Sequence, residues 1–143
     1  MNENASILKV ISLTARDIIN TAEIAVDKLS LTIEPYIIAY MSDIMKQCNL
    51  KELGWKQYTP DYRNNDSHPF SIRGVYIKPE TSNTCINFED IDDELSEEHL
   101  KIVNDFDNIL HNIESLLERK YGDGYYISMT KDNYGKLYME ELF

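Results

Sequence analysis

A one-sided stripe of large apolar residues constrains this chain most. Ile102, Val103, Phe106, Ile109, Leu110, Ile113, Leu116 and Leu117 recur at helical spacing, while Lys101, Asn104, Asn108, Asn112, Ser115 and Arg119 fill the opposite side. An amphipathic helix of this kind gains its stability from packing, so a second apolar surface must cover the stripe. The spacing predicts a helix over residues 96–120, capped by Ser96, with Glu97 and Glu98 favourably placed in its first turn and Gly122 closing it.

The other elements must supply that covering surface. Ile7, Leu8, Ile11, Ala15, Ile18, Ile19, Ala22, Ala25, Val26 and Leu29 form a second helical stripe, which predicts a helix over residues 7–29. Val10, Leu13 and Ile24 fall nearly opposite that stripe and mark a candidate dimer face, the alternative being a central helix covered on two sides. Thr32 is positioned to cap a further helix that starts at Glu34 and Pro35 and runs to Cys48. "FSIRGVYIK" alternates as a strand does, and "TCINFE" can pair with it across "PETSN". "YYISMT" and "KLYMEEL" flank "KDNYG" as a second hairpin. "KQYTPDYRNNDSHP" reads as a long irregular loop. The expected architecture is α+β, a single domain over residues 1–143, in the order α-α-β-β-α-β-β. Its antiparallel sheet, about four strands in two hairpins, packs against three helices.

Charge is distributed unevenly. Of a formal net charge of −11, residues 80–107 contribute −9, with ten carboxylates against one lysine. "FEDIDDELSEEH", residues 88–99, holds seven of those acids: Glu89, Asp90, Asp92, Asp93, Glu94, Glu97 and Glu98. Counted from Asp90, a calcium-binding EF-hand loop would need glycine where Leu95 stands and glutamate where Lys101 stands, so that motif fails at its two discriminating positions. The dipole of the following helix accounts for Glu97 and Glu98. It does not account for Glu89 to Glu94, which precede the cap. Either bases such as Arg63 or Arg73 fold over this run, or it stands ready for a basic partner.

No residue pattern announces catalysis, a metal or a cofactor. His111 lies one turn from Asp107 and close to Glu114, yet HExxH is absent, and His68 and His99 have no nucleophile beside them. "YGDGYY" lacks the strand and helix that a phosphate-binding loop requires. Direct nucleic-acid binding is opposed by the net charge, and an anionic surface also repels anionic lipid. The N-terminus has no basic, unbroken apolar leader, and Cys48 and Cys85 are only two, which suits thiols in the cytoplasm.

These features describe an acidic, non-enzymatic inhibitor of a basic, nucleic-acid-handling protein such as a toxin or nuclease. The profile is that of immunity proteins and of phage anti-defence (anti-CRISPR-like) proteins, and the Ile, Asn, Lys and Tyr content suits a low-GC bacterium or its phage. The expected partner-binding residues are the seven acids together with Trp55, Tyr58, Tyr62 and Arg63 from the aromatic, basic stretch. Two alternatives stand beside this reading. One is a small-ligand site or enzyme around Tyr125, Tyr126, His111 and Glu114. The other is a homodimeric structural protein.

Overall fold

The computed structural model describes residues 5, 7, 8, 23–60 and 68–142. Within them the architecture is α+β, with helices packed on one face of an antiparallel sheet. In chain order the elements are α1 (Glu23–Gln47), β1 (Leu50–Tyr58), β2 (Ser71–Pro79), β3 (Ile86–Asn87), a 3-10 helix (Phe88–Asp93), α2 (Glu97–Asn112), α3 (Glu114–Tyr121), β4 (Tyr126–Lys131) and β5 (Leu137–Leu142). The strand order is β3-β2-β1-β4-β5, and every neighbouring pair is antiparallel.

The sheet has five strands rather than four. The additional strand, β1, occupies the centre and joins the two expected hairpins, which do not touch each other directly. Its alternation is faint in the sequence because Gln57 takes a buried position and Gly54 interrupts the middle. Gly54 is required there. A Cβ at this position would come within 2.4 Å of the Ile127 carbonyl oxygen and 2.9 Å of the Tyr76 ring, so only glycine lets Tyr76 lie across the strand. The strand expected over "TCINFE" shrinks to Ile86 and Asn87, because Phe88 already belongs to the 3-10 helix.

The helix break expected near Thr32 does not occur. α1 runs through it with Pro35 inside, and the Thr32 hydroxyl donates back to the Leu29 carbonyl at 3.0 Å instead of capping. Packing overrides the local signal: Ile33, Ile37, Tyr40, Met41, Ile44 and Met45 are buried along one continuous face, while Pro35 sits on the exposed side. Residues 9–22 lie outside the described residues, so of the helix expected over 7–29 the structure gives helical backbone at Ile7, at Leu8 and from Glu23 onward.

The helix expected over 96–120 is present but divided. Ser96 caps it as expected, its Oγ accepting the His99 N–H at 3.2 Å. Ile113 departs from helical geometry, and its N–H is shared between the carbonyls of Ile109 and Leu110 at 3.1 and 3.3 Å. The apolar stripe continues across this joint, with Ile113, Leu116 and Leu117 as fully buried as Val103 and Phe106.

The core lies between α1, α2 and α3 and the inner face of the sheet. Trp55 is fully buried at its centre, edge-on to Phe106 and Tyr121. Its indole N–H donates to Gln57 Oε1 at 3.0 Å, and Gln57 Nε2 donates in turn to the carbonyls of Tyr121 and Gly124, both at 2.6 Å. This chain of hydrogen bonds makes a buried amide tolerable and ties β1 to the α3–β4 connection.

Candidate protein-binding surface

The acidic run begins where the sheet ends. β3 pairs with β2 only at Tyr76 and Ile77, after which the chain turns into the 3-10 helix. At three residues per turn this helix stacks Phe88 with Ile91, Glu89 with Asp92, and Asp90 with Asp93. Ile91 is fully buried in the core, which fastens the 3-10 helix to the fold and directs the two acidic columns to solvent, while Phe88 at the start of its column stays partly exposed. The amides of Glu94 and Leu95 both return to the Ile91 carbonyl, at 3.0 and 3.3 Å, and lead into the Ser96 cap. Leu95 and Leu100 then pack against the core, as a hydrophobic staple does.

Glu89, Asp90, Asp92, Asp93, Glu94, Glu97 and Glu98 are consequently all exposed on one well-anchored ridge. Among the described residues, no ion pair joins a base to any of them. Arg73, which the sequence offers as a neutralising base, instead lies over the Tyr58 ring with its guanidinium carbon 5.2 Å from the centroid. Arg63 lies outside the described residues, as does Tyr62.

The ridge adjoins the sheet face that no helix covers. There Tyr76 and Tyr126 meet edge to face at 6.2 Å, and Glu52 and Lys56 flank Gly54 on β1. Together with Cys85 and Leu142 they line a shallow groove of about 380 Å³. The Cys85 thiol donates to Glu52 Oε2 at 3.6 Å, and Lys56 donates to the Asn87 side-chain oxygen. Burial pushes the Tyr76 phenol well above its ordinary range; a hydrogen bond with Ser128 opposes the shift, and Glu52 adds to it. A small cleft lined by Lys56, Arg73, Asn87, Phe88 and Glu89 connects this face to the ridge. Phe88 exposes apolar surface at this cleft, and Tyr126, Tyr138 and Leu142 do so on the open face toward β5.

The structure therefore places the expected site residues unevenly. The seven acids stand together, as the sequence suggests. Trp55 does not join them: it has no accessible surface and belongs to the core, because it points to the helix side of β1. Tyr58 is the last residue of β1, where its ring lies under the Arg73 guanidinium and meets the His68 ring edge-on. Val10 and Leu13 of the candidate dimer face lie outside the described residues, as does the Ile24 side chain.

Tyr125, Tyr126, His111 and Glu114 do not form one site. Tyr126 belongs to the open sheet face, whereas His111 is on α2 with its Nδ1 2.8 Å from the Asp107 carbonyl oxygen and 3.4 Å from the Asp107 carboxylate. No group of three or more His, Cys, Asp or Glu among the described residues is arranged to hold a metal ion. No helix among them is long and apolar enough to cross a membrane.

Sequence reasoning singled out Tyr126 but grouped it with His111 and Glu114, and it missed Tyr76 and Tyr138 as its companions on the open face. Their signal was the spacing of Tyr126, Ser128 and Thr130 against Ile127 and Met129. It became readable only once β1 was known to place Gly54 opposite Ser128 and Tyr76. No protein-family model matches this chain, and no curated protein or solved structure matches it either.

Proposed function

We propose that this chain is a non-enzymatic binding protein that occupies the basic groove of a nucleic-acid-handling partner, in the manner of an immunity or anti-defence protein. In this reading the ridge from Glu89 to Glu98 stands in for a run of phosphates, and the exposed aromatics Phe88, Tyr126 and Tyr138 supply the desolvated anchor. The observation that carries it is the ridge itself: seven exposed carboxylates with no described ion pair, on a segment fastened by the buried Ile91. Like charges held this close repel one another, and a cationic partner relieves that repulsion. Two free thiols, Cys48 and Cys85, suit a reducing cytoplasm.

The mechanism is electrostatic steering followed by aromatic burial. A charged ridge raises association rates by about 10- to 1000-fold at low salt and loses that advantage as salt screens it. With a partner captured from the native host and then purified, changing Asp92→Lys together with Asp93→Lys should slow association and flatten its salt dependence. Phe88→Ala and Tyr126→Ala should act mainly on dissociation. Binding that ignores both the reversal and added salt would sink the reading.

The groove beside Glu52, Lys56 and Tyr76 favours a second reading, a small-ligand site, since its volume falls within the range of ligand pockets. A thermal-shift screen with nucleotides and metal ions separates the two. A rise of several degrees with one compound, lost in Tyr126→Ala, supports the groove.

A further inference from the structure

The pairing of β1 with β2 slips at one point. Lys56 is registered with Gly74 and Gln57 with Ile72, so Arg73 is the extra residue of a bulge, which re-aims side chains within a sheet. Ile72 and Val75 are both buried in the core. The two residues between them border a cleft of about 70 Å³, whose other walls include Lys56, Asn87, Phe88 and Glu89. Gly74, at φ +145, leaves the space beside Phe88 open.

Two cations are held at this cleft, each by a neutral group. Lys56 donates to the Asn87 side-chain oxygen, which fixes that amide with its Nδ2 donor end turned away from the ammonium. The Arg73 guanidinium is held over the Tyr58 ring. Among the described residues no carboxylate forms an ion pair with either base, whereas Lys120 and Lys131 pair with Glu34 and Glu80. Two positioned cations that no acid neutralises favour an anion between them. The cleft has room for one small oxyanion, and Glu89 on its wall opposes a longer polyanion. The negative charge of the rest of the chain is screened beyond about 8 Å at physiological salt.

The cleft opens into the larger groove over the sheet, since Lys56 and Asn87 line both. In that groove Tyr126 exposes ring surface on which a planar group can lie. Glu52 stands at the far end, four residues from Lys56 on the same side of β1, or about 13 Å at about 3.3 Å per residue. It accepts the Cys85 thiol, a weak donor, and its two oxygens have capacity for a further donor.

We infer that the groove binds a nucleoside monophosphate with an amino-bearing base, its phosphate received by Lys56, Arg73 and Asn87, its ring against Tyr126 and its amino group toward Glu52. An aliphatic acid would satisfy the two cations and bring nothing for Glu52. A ligand anionic at both ends would be repelled by Glu52. The inference rests on the reading of the groove as a ligand site and does not depend on what the ridge binds.

Calorimetric titration of the full chain with adenosine and cytidine monophosphates, the two nucleosides and inorganic phosphate tests it. Protection of Cys85 from a thiol reagent reports where the ligand sits, because Cys85 lines the groove and Cys48 is buried. A monophosphate should slow Cys85 modification and bind at least about tenfold more tightly than its nucleoside. Arg73→Gln should abolish that preference and leave nucleoside binding unchanged. Should Arg73→Gln disturb the fold by circular dichroism, Lys56→Gln decides in its place. A nucleoside that binds as tightly as its monophosphate and protects Cys85 equally would overturn the inference while leaving the groove a ligand site. Inorganic phosphate binding as tightly as a monophosphate would overturn it too, as would a preference that survives the substitution. Failure of all five compounds to bind would also overturn it, and the groove reading falls with it if no compound of the wider thermal-shift screen slows Cys85 modification.

Discussion

One carboxylate oxygen of Asp107 accepts the Val75 backbone N–H at 3.2 Å, joining α2 to β2. Val75 is the first residue of β2 that β3 no longer covers, because the chain has left the sheet at Phe88 to build the ridge. Beside it Gly74 holds φ +145, where the pairing of β1 and β2 slips by one residue. Asp107 thus supplies the hydrogen bond that a longer β3 would have made, and so permits the acidic segment to stand clear of the sheet.

Removing that acceptor should be costly. Asp107→Ala leaves a buried N–H unpaired and should destabilise the fold by about 1–3 kcal/mol in urea unfolding, while Asp107→Asn keeps an acceptor and should cost less. Burial raises the Asp107 carboxyl above its ordinary value of 3.8, with His111 and the Val75 N–H opposing. Because the folded state then takes up a proton more readily than the unfolded state, the penalty of burying the charge exists above the folded value. It is relieved as pH falls toward 3.8. Wild type should therefore gain on Asp107→Asn over that acidic window, and equal slopes for the two proteins would refute the argument.

The two thiols should behave differently. Cys85 is exposed and Cys48 buried, so a disulfide-exchange reagent should titrate one thiol in the native protein and two after denaturation. Burial, with Glu98 adding, pushes the Cys48 thiol up to about 11. Cys85 is also raised, by burial first and by Glu52 second. Glu52→Gln removes that second cause, so Cys85 should react faster at pH 8 in the variant.

Trp55 provides a direct spectroscopic check. As the single tryptophan, fully buried, it should emit at short wavelength and resist quenching by iodide. Gln57→Ala should remove the partner of its indole N–H and release the carbonyls of Tyr121 and Gly124, at a cost of about 1–3 kcal/mol.

Ile91 fastens the ridge. Ile91→Ala should destabilise the protein by about 2–5 kcal/mol and raise hydrogen exchange around residues 88–95 beyond what global unfolding explains. A conservative Ile91→Val should cost only about 0.5–1.5 kcal/mol, which separates loss of volume from loss of the residue's shape.

The sequence by itself determined whatever depends on neighbours a few residues apart. The stripe from Ile102 to Leu117 required a helix that buries one face, Ser96 marked its start, and the charge of residues 88–99 followed from composition alone. The alternation in "FSIRGVYIK" and "YYISMT" identified strands for the same reason. Tertiary structure decided the rest. It made β1 the centre of the sheet, because Gln57 can be buried only with partners more than sixty residues away. It carried α1 through Thr32 and Pro35, because the buried face from Ile33 onward outweighs a local stop signal. It also moved Trp55 from a supposed binding loop into the core and left Tyr76, Tyr126 and Tyr138 on the open face. Which side of a strand faces solvent depends on what packs against the other side, and no window of sequence contains that information.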